Sequence, residues 1–386
     1  MSRLCRLASL FLLGAPPLWS ATIEVPVYPV PEDNAFDHYL RATKLFPEAR
    51  PWDDAAGRLD TLDPAAAELI VLDAAAVLET FREGLDKECL IPGGVDFSTP
   101  FPYLADLRSL ARLLMVESHA RMEQGDAEQA FSSCLDALKL GRDVARGGPL
   151  IHKLVSVACE SIALKRIRAM APMAGAPEAL EELLARLQEV EAREIPLSVT
   201  LAVEWDATRR QLQGWRDDPE QRTQAGALLG VPVLQINDVV LDEALARLED
   251  YYAQMIDVAG TDYWLRRPED VPPPKGNVLV EMIVPVVGRG REKEVRHLAA
   301  LRATVLTVAL ELHFARQGAY PKALAELTPD VLTELPVDPF SGEPFRYRRE
   351  GELTYTLYSV GPNGVDDGGT AGPGGEALDL VFSAVE

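Results

Sequence analysis

The residues best placed to do chemistry lie close to the C-terminus. Asn363-Gly364-Val365-Asp366-Asp367-Gly368-Gly369 is an acidic, glycine-rich turn, and Glu376 and Asp379 follow after a second glycine-rich stretch. Clustered carboxylates repel one another unless a cation lies among them. Calcium takes about six to eight oxygens at roughly 2.3–2.6 Å, mixing carboxylates with backbone carbonyls. Glycine lets a backbone bend around such an ion. Asn363, Asp366, Asp367 and Asp379 are therefore the candidate metal ligands, with Ca2+ the expected ion. The alternative is a solvated acidic loop that holds nothing. The alternating carboxylates and closing glutamate of an EF-hand are absent.

No catalytic constellation stands out elsewhere. His38, His119, His152, His297 and His313 are scattered, and none forms His-Glu-x-x-His. Gly-x-Ser-x-Gly and glycine-rich phosphate-binding patterns are also missing. Glu204 with Asp206, and Glu249 with Asp250, are carboxylate pairs of a kind that helix surfaces carry routinely. A site assembled only in space leaves no local signature. The alternative to a non-enzymatic protein is thus a secreted hydrolase, with Glu117, His119 or His152 converging in a cleft beside the C-terminal domain.

Composition bounds the rest. The 386 residues are enough for two or three domains, and 47% apolar content with abundant Leu and Ala favours a folded, helical chain. A formal charge of −22 argues against nucleic acid and against anionic membrane surfaces. Arg3 and Arg6, the apolar run Leu7–Leu13, Pro16-Pro17 and the small pair Ser20-Ala21 read as a secretory signal over 1–21. That run is too short to span a bilayer, and no membrane span is expected in the mature chain. Export to the periplasm or cell envelope follows. Cys89, Cys134 and Cys159 remain after the signal. The last two are expected on neighbouring helices, as either a disulfide or two buried thiols.

The elements that must position the acidic loop can be read from caps and periodicity. Proline blocks helix through 23–31, and Asn34–Leu45 is a first helix, closing an extended and linker-like region over 22–62. Asp63 is an N-cap with Pro64 at the first helical position. A helical domain runs over 63–265, and Trp205 and Trp215, close to three turns apart, are expected in its core. Pro268 and Pro272-Pro273-Pro274 stiffen a linker over 266–276. The apolar run Asn277–Val287 is expected as a buried helix kinked at Pro285, despite its single Glu281. Glu292–Gln317 is a separate long helix that Gly318 stops, and it belongs with a C-terminal β domain over 277–386.

Two resemblances refine this. Ala120–Phe131, with Gly125 ending one helix, Asp126 capping the next and Ala130 allowing close approach, resembles the inner turn of a tetratricopeptide repeat. The TPR-like hairpin covers 104–170. Beyond it, Gly318-Ala319-Tyr320-Pro321 follows the long helix, and Leu335-Pro336-Val337-Asp338-Pro339-Phe340-Ser341-Gly342-Glu343-Pro344-Phe345 forms a turn. Tyr355-Thr356-Leu357-Tyr358-Ser359-Val360-Gly361 and a closing Asp379-Leu380 come next. In this order, residues 290–386 resemble the globular domain of the major pseudopilins of type II secretion systems. That resemblance implies a long helix packed on a small antiparallel sheet, with calcium in the C-terminal loop. The family's first ligand aspartate falls at Asn363, which keeps a neutral oxygen, and its last falls at Asp379.

The expected fold is mainly α, a helical-hairpin array followed by a C-terminal α+β domain. The expected function is a non-enzymatic exported scaffold with a calcium-stabilised pseudopilin-like domain and a protein partner, associated with a type II secretion or pilus-like system.

Overall fold

The structure is a computed structural model, and it describes residues 23–93, 101–370 and 378–382. The leader expected over 1–21 lies outside the described residues, as does Glu376. The described chain is mainly helical, with a small antiparallel sheet near its C-terminus.

Local signals set the helix starts. Asn34 caps α1 (Ala35–Thr43) by accepting from Phe36 N, and Asp63 caps α3 (Pro64–Asp73) by accepting from Ala66 N. Between and after them lie α2 (Pro51–Ala55) and α4 (Ala75–Arg82). The hairpin expected over 104–170 is a trio of long helices, α5 (Tyr103–Glu123), α6 (Ala127–Ala145) and α7 (Leu150–Met170), each packed on the other two. Gly125 takes the left-handed conformation that ends α5, and Asp126 accepts from Gln129 N to start α6. Ser118 Oγ lies 3.3 Å from Cys134 Sγ, and both Cys134 and Cys159 are free thiols buried in the core.

Next come α8 (Pro177–Ala192), α9 (Leu197–Asp217), α10 (Pro219–Leu229) and α11 (Asp238–Ala259). The stretch 277–317 differs from the expected pair of helices. It forms one helix, α12 (Val278–Gln317), with Pro285 inside it. Such a proline gives up an i→i−4 hydrogen bond and crowds the preceding turn, and this one sits on an exposed face of the helix. Gly290 leaves room for the crossing below: an added Cβ would lie 3.2 Å from Leu150 Cδ1. Glu281 serves locally, accepting from Gly276 N at 2.8 Å beside the Asn277 cap.

Two apolar cores meet along α12. Its first turns (Leu279, Val280, Val284, Val287) join Leu201, Trp205, Leu241 and Tyr252 of α9 and α11. Trp205 packs on Tyr252 with ring centroids 5.5 Å apart, as expected of a core tryptophan. The proline-rich stretch 266–276 connects α11 to α12, and both helices contribute to this core. Farther along, Leu301, Val305, Val308 and Leu312 join the core of α1–α8, with Leu357, Val360 and Phe382 of the C-terminal part. By length and hydropathy α12 could cross a membrane, yet 67% of its most apolar window is buried within the protein.

The sheet is β1 (Arg346–Arg349), β2 (Tyr355–Ser359) and β3 (Leu380–Val381), in that order. Both pairings are antiparallel, with Arg346 opposite Tyr358 and Ser359 opposite Leu380. β2 lies against α12. Asp338 ties the preceding turn to it. Oδ1 accepts from Phe340 N and Ser359 Oγ, and Oδ2 accepts from Val360 N, with the residue 1% exposed. Gly342, at φ +73°, completes the turn against the Trp264 ring.

Candidate functional site

The acidic loop hangs between β2 and β3. Turn chemistry shapes it: Asn363 Oδ1 accepts from Val365 N, and Asp366 Oδ1 accepts from Gly368 N. Gly364, Gly368 and Gly369 all take left-handed φ angles. Three of the four expected ligands are committed within the loop or to its neighbours. Asn363 Nδ2 donates to Asp367 Oδ2, Tyr358 OH donates to Asp366 Oδ1 at 2.9 Å, and Arg346 lies 3.1 Å from Asp366 Oδ2. These contacts hold the Asp366 carboxyl below its usual range, first through the Gly368 N–H and then through the Tyr358 hydroxyl.

Asp379 is different. Oδ2 accepts from Gly369 N at 2.7 Å, while Oδ1 has no hydrogen-bond partner among the described residues although the residue is 1% exposed. A buried carboxylate oxygen without a donor is costly unless a cation or donor meets it. The chemistry of this atom fits a bound cation, with Asp366 and Asp367 on the same glycine-rich turn able to supply further oxygens. Arg346 competes for Asp366, so an ion would share or displace that guanidinium.

A second cluster was not among the expected ligands. Glu160 on α7, Glu194 in the short loop between α8 and α9, and His297 on α12 bring three donor atoms within 4.8 Å of one another. His297 Nε2 lies 2.8 Å from Glu160 Oε2 and 3.7 Å from Glu194 Oε1. The ring is not aimed along a hydrogen bond at either oxygen. Ser156 Oγ donates to Glu160 Oε1 at 2.8 Å, and Lys153 Nζ donates to Glu194 Oε2 at 3.2 Å. Burial opposes charge on His297, but the Glu160 and Glu194 carboxylates outweigh it and hold the imidazole up at about 9. One turn before it, Glu294 accepts from Leu197 N at 2.6 Å and from Arg291, fixing the start of α9 beside the cluster.

The side chains expected to converge for a hydrolase each face different neighbours. Glu117 takes a two-pronged contact from Arg82 and a hydrogen bond from Ser133 Oγ. His119 Nε2 faces Leu62 O at 3.1 Å. His152 Nε2 faces Tyr103 OH at 2.7 Å, and burial pushes this imidazole down to about 4, leaving it neutral.

The Glu160 cluster carried a faint trace in the sequence. Glu160 interrupts a buried face of α7 between Cys159 and Ala163, and Glu294 and His297 share a face of α12 at i, i+3 spacing. No family model, no curated protein and no solved structure matches this chain, so both resemblances rest on the residues that carry them.

Proposed function

We propose that the chain is a non-enzymatic exported scaffold of the cell envelope, whose calcium-clamped, pseudopilin-like C-terminal part docks to a type II secretion or pilus-like system. The observation that carries this reading is the burial of α12. Pilin-type subunits assemble through an exposed long helix, whereas the apolar stripe of α12 is consumed by α7, α8 and the sheet. Among the described residues, α12 therefore leaves little apolar stripe with which to polymerise, which favours docking by the remaining surface.

That surface includes a groove of about 310 Å3 between α6 and α8. Phe131, Leu135, Leu183 and Val190 line it, with Lys139, Arg142, Arg186 and several carboxylates around them. A lining that mixes apolar and charged side chains suits an amphipathic partner helix or peptide. The clamp is Asp379, whose buried oxygen without a hydrogen-bond partner among the described residues supports a bound Ca2+.

Co-sedimentation of the full chain with an assembled pseudopilus, with and without calcium, tests the reading. Pelleting with the filament in calcium, and no fibres from the chain alone, is expected. Self-assembly into fibres, or no pelleting in either condition, overturns it.

A further inference from the structure

Glu160, Glu194 and His297 come from three separate elements, α7, the α8–α9 loop and α12, and meet inside the protein. We propose that they are the ligands of a borderline divalent transition-metal ion of the Zn2+ class, in a site distinct from the acidic C-terminal loop. The support is the way the two carboxylates are held. Each carboxylate is tied outward by one oxygen, Glu160 by Ser156 and Glu194 by Lys153. Their other oxygens, Glu160 Oε2 and Glu194 Oε1, have no hydrogen bond among the described residues and lie with a His297 ring nitrogen within 4.8 Å of one another. The His297 side chain is 2% exposed, and neither of its ring nitrogens makes a hydrogen bond among the described residues.

Outer partners that orient a ligand by one atom and free the other are the usual support of a metal site. The spacing agrees. A tetrahedral ion with bonds of about 2.0–2.1 Å keeps its ligands roughly 3.3 Å apart. The observed 2.8 Å and 3.7 Å separations from Nε2 lie on either side of that value. One imidazole and two carboxylates, without thiolate, match Zn2+ and its neighbours better than Ca2+, which takes oxygen alone. Three protein ligands leave a fourth position for water or a small anion. Gly141 of α6 makes the room: an added Cβ would lie 2.5 Å from Glu160 Cγ. The rival cation is a proton on His297, which would make the cluster a buried imidazolium between two carboxylates.

Titration of the full chain with Co2+ alone decides between them. The protein is first stripped with chelator, and Asp379→Asn is the background, so that the C-terminal loop does not contribute. One Co2+ per chain with visible d–d absorption, displaced by Zn2+, is expected. Glu194→Gln weakens that binding at least about tenfold, and His297→Ala abolishes the band. Should His297→Ala fail to fold, Glu194→Gln carries the test, since Glu194 is the most exposed of the three at 18%. No saturable Co2+ binding by the folded parent, or unchanged affinity in Glu194→Gln, overturns the metal site and leaves the imidazolium.

Discussion

Glu311 on α12 is 4% exposed, and both of its carboxylate oxygens accept from Tyr320 OH, at 2.9 and 3.1 Å. Burial is the largest influence on it and pushes the carboxyl up to about 7 against the Tyr320 hydrogen bond. An unfolded chain holds a glutamate near about 4.3–4.5, so between that value and about 7 the folded state binds the extra proton. Stability is therefore fully present below the unfolded value and is lost as pH rises through 7. At about 1.36 kcal/mol per unit, a shift of roughly 2.5 units costs about 3 kcal/mol at pH 8 relative to pH 4. Glu311→Gln keeps the shape and removes the titration. Urea unfolding of parent and variant at several pH values isolates the effect, because every other carboxylate cancels in the difference. The variant should gain on the parent by about 3 kcal/mol between roughly pH 4 and pH 8. A difference that stays flat across that range refutes a raised Glu311.

Two substitutions probe the geometry around the candidate sites. Gly→Ala inside a helix ordinarily stabilises by about 0.5–1 kcal/mol, but Gly141→Ala would force a Cβ to 2.5 Å from Glu160 Cγ. It should instead cost about 1–3 kcal/mol, and a raised urea midpoint would show that Glu160 has room to move. Asp338→Ala strands the Ser359 hydroxyl and the Phe340 and Val360 N–H groups. Its cost should be about 3 kcal/mol or more, read as a lower thermal midpoint; a change within error would mean that water replaces the carboxylate.

What could be read in advance follows the range of the interactions. The caps at Asp63 and Asp126, the stop at Gly318 and the turn around Gly342 depend on residues a few positions apart, and each forms where expected. Asp338 lies in the turn that the sequence marks over 335–345, but its bonds to Ser359 and Val360 reach a strand beyond that turn. The continuity of α12 was hidden for a related reason. Pro285 reads as a kink and 277–287 as separate from 292–317, whereas packing against α9, α11 and Leu150 favours one helix there. The proline-rich stretch 266–276 connects α11 to α12, yet composition says nothing about whether the helices on either side share a core. The Glu160 cluster is the extreme case. Its three members sit on three elements, and neither periodicity nor motif spacing links them. In the acidic loop the residue types pointed to calcium, but which oxygen stays free is decided by Gly369, Tyr358 and Arg346, and it proves to be on Asp379.

Calcium at that oxygen is best tested on the full chain, because α12 borrows its core from α7 and α8 and an isolated C-terminal fragment would lack it. The deciding measurement is a thermal melt of parent and Asp379→Asn in calcium, in magnesium and in chelator. At a calcium concentration a hundredfold above its dissociation constant, binding adds about 2.7 kcal/mol, a rise of roughly 3 °C for a chain of this size. A rise of that order, specific to calcium and absent from Asp379→Asn, is the predicted result. Identical midpoints in calcium and chelator would contradict the clamp.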